Sequence, residues 1–122
     1  MPISWRIFEG IVYLESDEQA TLDEWESAVS HALGISGSRP VLGLLHDARK
    51  MERVPGPQET RARVWFLMAQ ARTHNVARWA TVVAGPANYG MGRMAEALVD
   101  HERSVTFRIF SDMTEAEAWL RQ

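Results

Sequence analysis

A histidine, an aspartate and an arginine stand close together after an apolar run near the middle of the chain. The run is Val41–Leu45, and His46, Asp47 and Arg49 follow it. Open α/β sheets bind ligands beyond the carboxyl ends of their strands, so these three residues are candidates for a ligand or anion site. His46 could act as a base oriented by Asp47, with Arg49 holding an anionic substrate. Adjacent residues on a strand point to opposite faces, so the sequence favours a structural role, with Asp47 paired to backbone or to an arginine.

A second candidate site lies in a glycine-rich segment between an apolar strand and a helix. Its candidate ligand or anion residues are Gly85, Asn88, Gly90, Gly92 and Arg93. Glycine-rich loops that lead into helices often hold phosphates. Here methionine and glycine replace the lysine and hydroxyl residue of a phosphate-binding loop, and no acidic residue follows at the distance that a dinucleotide site requires. The segment therefore predicts a tight turn and an open helix start, with an anion site at Arg93 as the less favoured alternative.

The other residue types that carry chemistry form no recognisable motif. The four histidines show neither i, i+4 pairs nor an HExxH pattern, so no metal site is predicted. The chain has no cysteine, which excludes thiolate ligands, disulfides and a cysteine nucleophile. No serine stands in a G-x-S-x-G elbow. The sequence thus predicts no catalytic residue, no metal and no cofactor.

The helix predicted over about Glu59–His74 is more apolar than the single stripe that packing on a sheet requires. Its apolar residues are Ala62, Val64, Trp65, Phe66, Leu67, Met68, Ala69 and Ala71. The pattern places Trp65 and Met68 on an adjoining face that Arg61 and Arg72 flank, and these residue types are enriched in interface cores. We expect this face to contact a second copy or another protein, or to line an apolar ligand pocket. In the alternative interpretation, the preceding proline-rich segment folds over it.

Charge is unevenly distributed along the chain. The net charge is −6 over residues 1–34, +6 over residues 35–93 and −3 over the remainder. The basic middle could attract an anionic ligand or an acidic partner, but neutralisation within the fold or across a homodimer is the favoured interpretation. A pI near 5.8 argues against nucleic-acid binding. No apolar run approaches the ~18 residues of a membrane span, and the first residues lack a secretory signal, so a cytoplasmic location is expected.

The order of the predicted elements indicates one α/β domain over residues 1–122. The predicted strands are Ile3–Phe8, Ile11–Glu15, Val41–Leu45, Trp79–Ala84 and Val105–Phe110, and the predicted helices are 21–34, Glu59–His74, Tyr89–His101 and one that begins at Thr114. Two Thr-x-x-Glu capping boxes mark helix starts, and Glu9-Gly10 marks a hairpin turn. Helices between apolar strands predict a mixed, mostly parallel sheet with an N-terminal hairpin and four helices.

Several stretches of this chain resemble one protein family. They are the opening hairpin, the strand ending LLHDAR, the strand ATVVAG, the segment NYGMGRMAEAL and the ending VTFRIFSDMTEAEAWL. Together they are similar to the SpoIIAA-like branch of the STAS superfamily, which contains the anti-sigma-factor antagonists. The resemblance covers nearly the whole chain and implies an interaction or regulatory module.

This sequence departs from the phosphoregulated members of that superfamily. The resemblance places a phosphorylatable serine at a helix start after a central strand and an aspartate. The matching residues here, Asp47 to Lys50, include no hydroxyl, and the nearest one is Thr60. We therefore do not expect a phosphorylation switch of that kind.

Three functional hypotheses follow. The first is a non-catalytic STAS-like module that self-associates through the Trp65 and Met68 helix face, as a homodimer or with a protein partner. The second is a small carrier for an apolar or lipid-like anionic ligand, with Arg61, Arg63 or Arg72 near its head group. The third is an enzyme centred on His46, Asp47 and Arg49.

Overall fold

The strands of the sheet lie side by side in the order in which they occur in the sequence. The computed structural model describes residues 3–36, 41–100 and 105–122. The elements in these residues are β1 (Ile3–Phe8), β2 (Ile11–Ser16), α1 (Leu22–Ser36), β3 (Gly43–Asp47), α2 (Pro57–His74), β4 (Arg78–Val82), α3 (Pro86–Asp100), β5 (Thr106–Phe110) and α4 (Met113–Leu120). The strand β1 is antiparallel to β2, and the other neighbours are parallel. The predicted single-domain α/β fold with a mixed sheet and an N-terminal hairpin is confirmed.

The two faces of the sheet carry different layers. Right-handed crossovers between successive parallel strands place α1, α2 and α3 on one face, which we call the three-helix face. The helix α4 packs against β3, β4 and β5 on the opposite face, the α4 face. The close backbone neighbours of α2 are mainly α1 and α3 rather than the strands. This arrangement leaves space between α2 and the sheet that side chains must fill.

Local sequence explains where several elements begin and turn. Glu9 and Gly10 have φ values of 50° and 82°, which is the left-handed pair of a type I′ hairpin turn. At the start of α1, the Glu24 amide donates to Thr21 Oγ1 and the Thr21 amide donates to Glu24 Oε1, so the first predicted capping box is confirmed. At α4 the cap is instead Asp112, whose carboxylate accepts from the Glu115 amide.

Two predicted boundaries were wrong in ways that bear on function. The third strand begins at Gly43, because pairing with β2 starts there, and so His46 and Asp47 lie inside it. The third helix begins at Pro86, because the glycine-rich segment continues as helix beyond Gly85 instead of forming a loop. The predicted end of that helix at His101 and most of the predicted loop 35–40 lie outside the described residues.

Candidate functional site

A cavity lies between α2, α3 and the three-helix face of the sheet. Its volume is about 100 Å³, several times the space that one water molecule needs. Its lining residues are Trp25, His46, Ala48, Met51, Pro55, Thr60, Arg63, Val64, Leu67, Trp79, Thr81, Val83, Asn88, Met91, Gly92, Ala95, Phe107 and Ile109. Most of these side chains are apolar, and three of them carry large aromatic rings.

The cavity opens near the carboxyl ends of β3 and β4. The lining residues there, Met51, Pro55, Asn88 and Met91, are half-buried. Lining residues further inside, such as Trp79, are buried. Open α/β sheets bind their ligands in this position, so the cavity lies where the fold favours a binding site.

An aromatic cluster, which we call the Trp25 cluster, forms one wall of the cavity. It consists of Trp25, Trp79, His46 and Arg63. The Trp25 ring centroid lies 6.2 Å from that of Trp79 and 6.0 Å from that of His46. The Arg63 guanidinium carbon lies 4.9 Å from the Trp25 centroid, within the range of a cation–π contact.

Three nitrogen atoms of this cluster are buried and make no hydrogen bond to the described residues. They are Nε1 of Trp25, Nε1 of Trp79 and Nη2 of Arg63. Buried donors are rarely left unpaired in folded proteins, because each loses its hydrogen bond to water without replacement. Because these donors lie together beside a cavity, hydrogen bonds from them to an acceptor outside the chain would favour its binding.

Arg63 is held in place by a carboxylate that it shares with another arginine. Its Nε donates to Glu59 Oε2 at 3.0 Å, and Nη2 lies 2.9 Å from the same oxygen without hydrogen-bond geometry. Glu59 also accepts from Arg53. Burial lowers the pKa of Arg63 below its ordinary value, although the Glu59 carboxylate acts against this shift. Two arginines thus share one carboxylate, and the trio has a net positive charge.

His46 is a buried neutral residue and not a general base poised near neutral pH. Burial and, to a lesser extent, the positive charge of Arg63 lower its pKa from 6.5 to about 3, although the Asp47 carboxylate acts against this shift. Its Nε2 lies 2.6 Å from the hydroxyl oxygen of Ser16, which is fully buried at the end of β2. This hydrogen bond pairs the polar edge of the ring within an apolar environment.

Asp47 and Arg49 lie away from His46. Side chains alternate along β3, so His46 faces the cavity whereas Asp47 faces the other side of the sheet. Arg49 donates to both carboxylate oxygens of Asp47. Burial acts to raise the pKa of Asp47, but the hydrogen bonds from Arg49 bring it below its ordinary value. The structure therefore separates the three residues of the predicted candidate site into a buried histidine and an ion pair between the buried Asp47 and the exposed Arg49.

The glycine-rich segment contributes to the cavity wall and not to a phosphate loop. Gly85 has a φ of 88°, which suits the turn before α3. Asn88 and Gly92 line the cavity from the first turns of α3. Gly90 has open space around it, and Arg93 forms an ion pair with Glu96. The helix that follows this turn begins at Pro86 and not at the predicted Tyr89.

The predicted interface on α2 is only partly present. Trp65 is 69% exposed, and Arg61 and Arg72 are also exposed. Met68 is 4% exposed and belongs to the core under the three-helix face, so its predicted place on the outer face was wrong. The reason is that α2 packs against both α1 and α3, which requires a wider apolar face than contact with a sheet alone. Thr60 is likewise buried, and its hydroxyl donates to the Gly56 carbonyl.

The described residues lack two further features. No group of three or more histidine or acidic side chains there is arranged to hold a metal ion. Within residues 3–36, 41–100 and 105–122, no helix combines the length and the apolarity that crossing a membrane requires.

Sequence reasoning missed the most informative residues of the cavity. Trp25 and Trp79 fall on ordinary apolar positions of a helix and a strand, so the pattern indicates only core packing. Ser16 is a single hydroxyl at a strand end. The weak signal that could have found them is two tryptophans on elements that flank the predicted strand end at His46.

Comparison of the sequence with models of known protein families and with curated proteins finds no match.

Proposed function

We propose that this protein is a non-catalytic binding protein for a small apolar molecule, which it holds in the cavity beneath α2. One observation carries the proposal: an almost wholly apolar cavity opens at the carboxyl end of a mostly parallel sheet. Small-molecule sites are typically concave, apolar and equipped with a few polar groups that orient the ligand. The Trp25 cluster provides such groups.

The energetics favour an apolar occupant. Leu67, Phe107 and Ile109 present hydrocarbon surface to the cavity. Each square ångström of apolar surface removed from water contributes roughly 25 cal/mol, so a ligand chain of several carbons gains several kcal/mol. Part of this gain offsets the entropy lost on binding.

The polar residues of the site support binding without catalysis. His46 is neutral and already bonded to Ser16, which leaves it unsuited to proton transfer at neutral pH. The carboxylate that could orient it, Asp47, faces the opposite side of the sheet. The enzyme centred on His46 is therefore the least supported of the three hypotheses.

A cavity-filling variant tests the proposal with a neutral probe, 1-octanol. Ala95 lines the cavity on α3, whereas Ala97 is exposed on the same helix. We expect 1-octanol to raise the melting temperature of the wild-type protein and of Ala97→Leu. Ala95→Leu should fill the space, lose the response to 1-octanol, and melt at a higher temperature on its own. The proposal would be overturned by an equal response of all three proteins, or by no response in the wild type.

A self-associating module is a second proposal, favoured by the exposure of Trp65. This ring lies on the outer stripe of α2 between Arg61 and Ala69, with Arg72 one turn further on. Aromatic and arginine side chains are enriched in protein interfaces. This proposal includes the resemblance of the sequence motifs to SpoIIAA-like proteins. It also includes a cytoplasmic location.

Light scattering distinguishes self-association from a monomer. We expect a dimer mass for the wild type and a monomer mass for Trp65→Glu. Ile35 supplies the matched control, because it is 58% exposed on a different helix. Ile35→Glu should leave the dimer intact. A monomeric wild type, or a dimer that Trp65→Glu does not change, would rule out this interface.

A further inference from the structure

We infer that the ligand of the cavity is an apolar carboxylic acid, whose carboxylate accepts hydrogen bonds from the unpaired indole N–H groups of Trp25 and Trp79 and lies beside the guanidinium group of Arg63. This inference rests on the proposed binding function and names the head group of the ligand. It differs from the sequence-based hypothesis in selecting one arginine, since Arg63 lines the cavity and Arg61 and Arg72 do not.

The buried donors favour a head group that can accept several hydrogen bonds. Trp79 is fully buried and Trp25 is 3% exposed, and neither indole N–H has an acceptor among the described residues. Both rings stand in the same cluster as the Arg63 guanidinium group, whose Nη2 makes no hydrogen bond although it lies 2.9 Å from Glu59 Oε2. A carboxylate offers about four lone-pair positions on two oxygens, whereas an alcohol or a ketone offers two on one oxygen. A carboxylate is thus the smallest common head group able to accept from several of these donors.

The charge of the lining favours an anion. Arg63 is a cation, and no aspartate or glutamate is among the described residues that line the cavity. Its partner Glu59 is shared with Arg53, so its negative charge offsets only one of the two guanidinium groups. Hydrogen bonds between ionised groups are also stronger than those between neutral groups, especially where water is excluded.

The rest of the lining limits what else the ligand contains. Two indoles, Phe107 and aliphatic side chains surround the remaining space, so the part of the ligand behind its head group is hydrocarbon. An ammonium head group would meet the positive charge of Arg63 and could not accept from the indole N–H groups beside it. Bulky polar ligands would leave their own groups unpaired against the apolar wall.

Three probes with the same eight-carbon chain separate the effect of the head group on affinity from that of the chain. They are octanoate, 1-octanol and octylamine. Isothermal titration at pH 7.5 should give an affinity for octanoate at least tenfold higher than that for 1-octanol, with octylamine the weakest. Equal binding of octanoate and 1-octanol, or preference for octylamine, would overturn the carboxylate while leaving the cavity's binding function standing. If none of the three binds, the proposed function itself falls.

Two variants test which groups hold the carboxylate. Arg63→Gln should lower octanoate affinity about tenfold and leave 1-octanol binding within twofold of the wild type. Arg61→Gln is the matched control, because Arg61 is exposed on α2 and outside the cavity lining. It should change neither affinity.

Trp79→Phe provides a second measurement that does not depend on the Glu59 ion pair. It keeps an aromatic ring and removes the indole N–H, so octanoate should bind about fivefold more weakly while 1-octanol binds as before. Melting curves establish that each variant folds. Unchanged discrimination between octanoate and 1-octanol in both Arg63→Gln and Trp79→Phe would overturn the assignment of these donors.

Discussion

His46 Nε2 lies 2.6 Å from Ser16 Oγ, and this hydrogen bond joins the carboxyl ends of two adjacent parallel strands. Both residues are buried, and His46 forms part of the cavity wall. The bond therefore gives Nε2 of the imidazole ring a hydrogen-bond partner at the boundary between the core and the cavity. Burial and the nearby charge of Arg63 keep the ring neutral, because a protonated imidazole would carry an unsolvated charge next to that guanidinium group.

The stability of the fold should decrease as the pH falls from 6.5 toward 3. The pKa of His46 is about 3 in the folded protein and 6.5 without burial. Between these values the unfolded chain binds a proton that the folded chain does not bind, so the free energy of unfolding decreases by up to about 1.4 kcal/mol per pH unit. Urea unfolding at pH 7, 6 and 5 measures this slope. The lowered pKa values of Asp47 and Glu59 add a loss in the same direction at lower pH.

The contribution of His46 can be isolated with His46→Gln. Glutamine places a polar group near the position of Nε2 but does not titrate. This variant should lose less stability than the wild type between pH 6.5 and 5. Parallel pH profiles for the two proteins would show that His46 is not the group responsible.

Two glycines of α3 should respond in opposite ways to the same substitution. A Cβ at Gly92 would lie 2.3 Å from Ile109 side-chain atoms, whereas a Cβ at Gly90 meets nothing within 4 Å. Gly92→Ala should therefore lower the free energy of unfolding by about 1–3 kcal/mol through overpacking. Gly90→Ala should raise it by about 1 kcal/mol, because alanine favours helix. Thermal or urea unfolding of both variants provides the measurement, and stabilisation by both would contradict the packing of α3 on β5.

The fold could be predicted from the sequence because its signals are local. The Glu9-Gly10 turn and the capping box at Thr21 each act over a few residues. Helices between apolar strands then leave few topologies open. The boundary errors at Gly43 and Pro86 have a different cause, since strand pairing and the packing of α3 on β5 are long-range effects.

The residues of the cavity could be predicted only in part. His46 was a candidate because it follows an apolar strand, and Asn88 because it lies in a glycine-rich segment that leads into a helix. Trp25 and Trp79 were not, because a tryptophan that lines a cavity has the same sequence pattern as one in a filled core. Met68 was misplaced for a related reason: the pattern shows that α2 has a wide apolar face but not which neighbours cover it.

The start of α4 depends on one aspartate. The Asp112 side chain accepts from the Glu115 amide, so Asp112→Ala should lower the free energy of unfolding by about 1 kcal/mol. Thr114, the cap predicted from sequence, lies within the helix and is exposed. Thr114→Ala should change stability by much less. A larger effect of Thr114→Ala than of Asp112→Ala, measured by urea unfolding, would place the cap at the threonine.

The most direct test of the central claim locates a bound apolar molecule. Nuclear Overhauser effects between 1-octanol and the protein report which side chains lie within a few ångströms of the ligand. Binding in the cavity predicts contacts from the octyl chain to Trp79, Phe107 and Leu67 in the wild type, and the loss of these contacts in Ala95→Leu. Contacts confined to the exposed ring of Trp65, or no contacts at saturating 1-octanol, would contradict the claim that the cavity is a binding site.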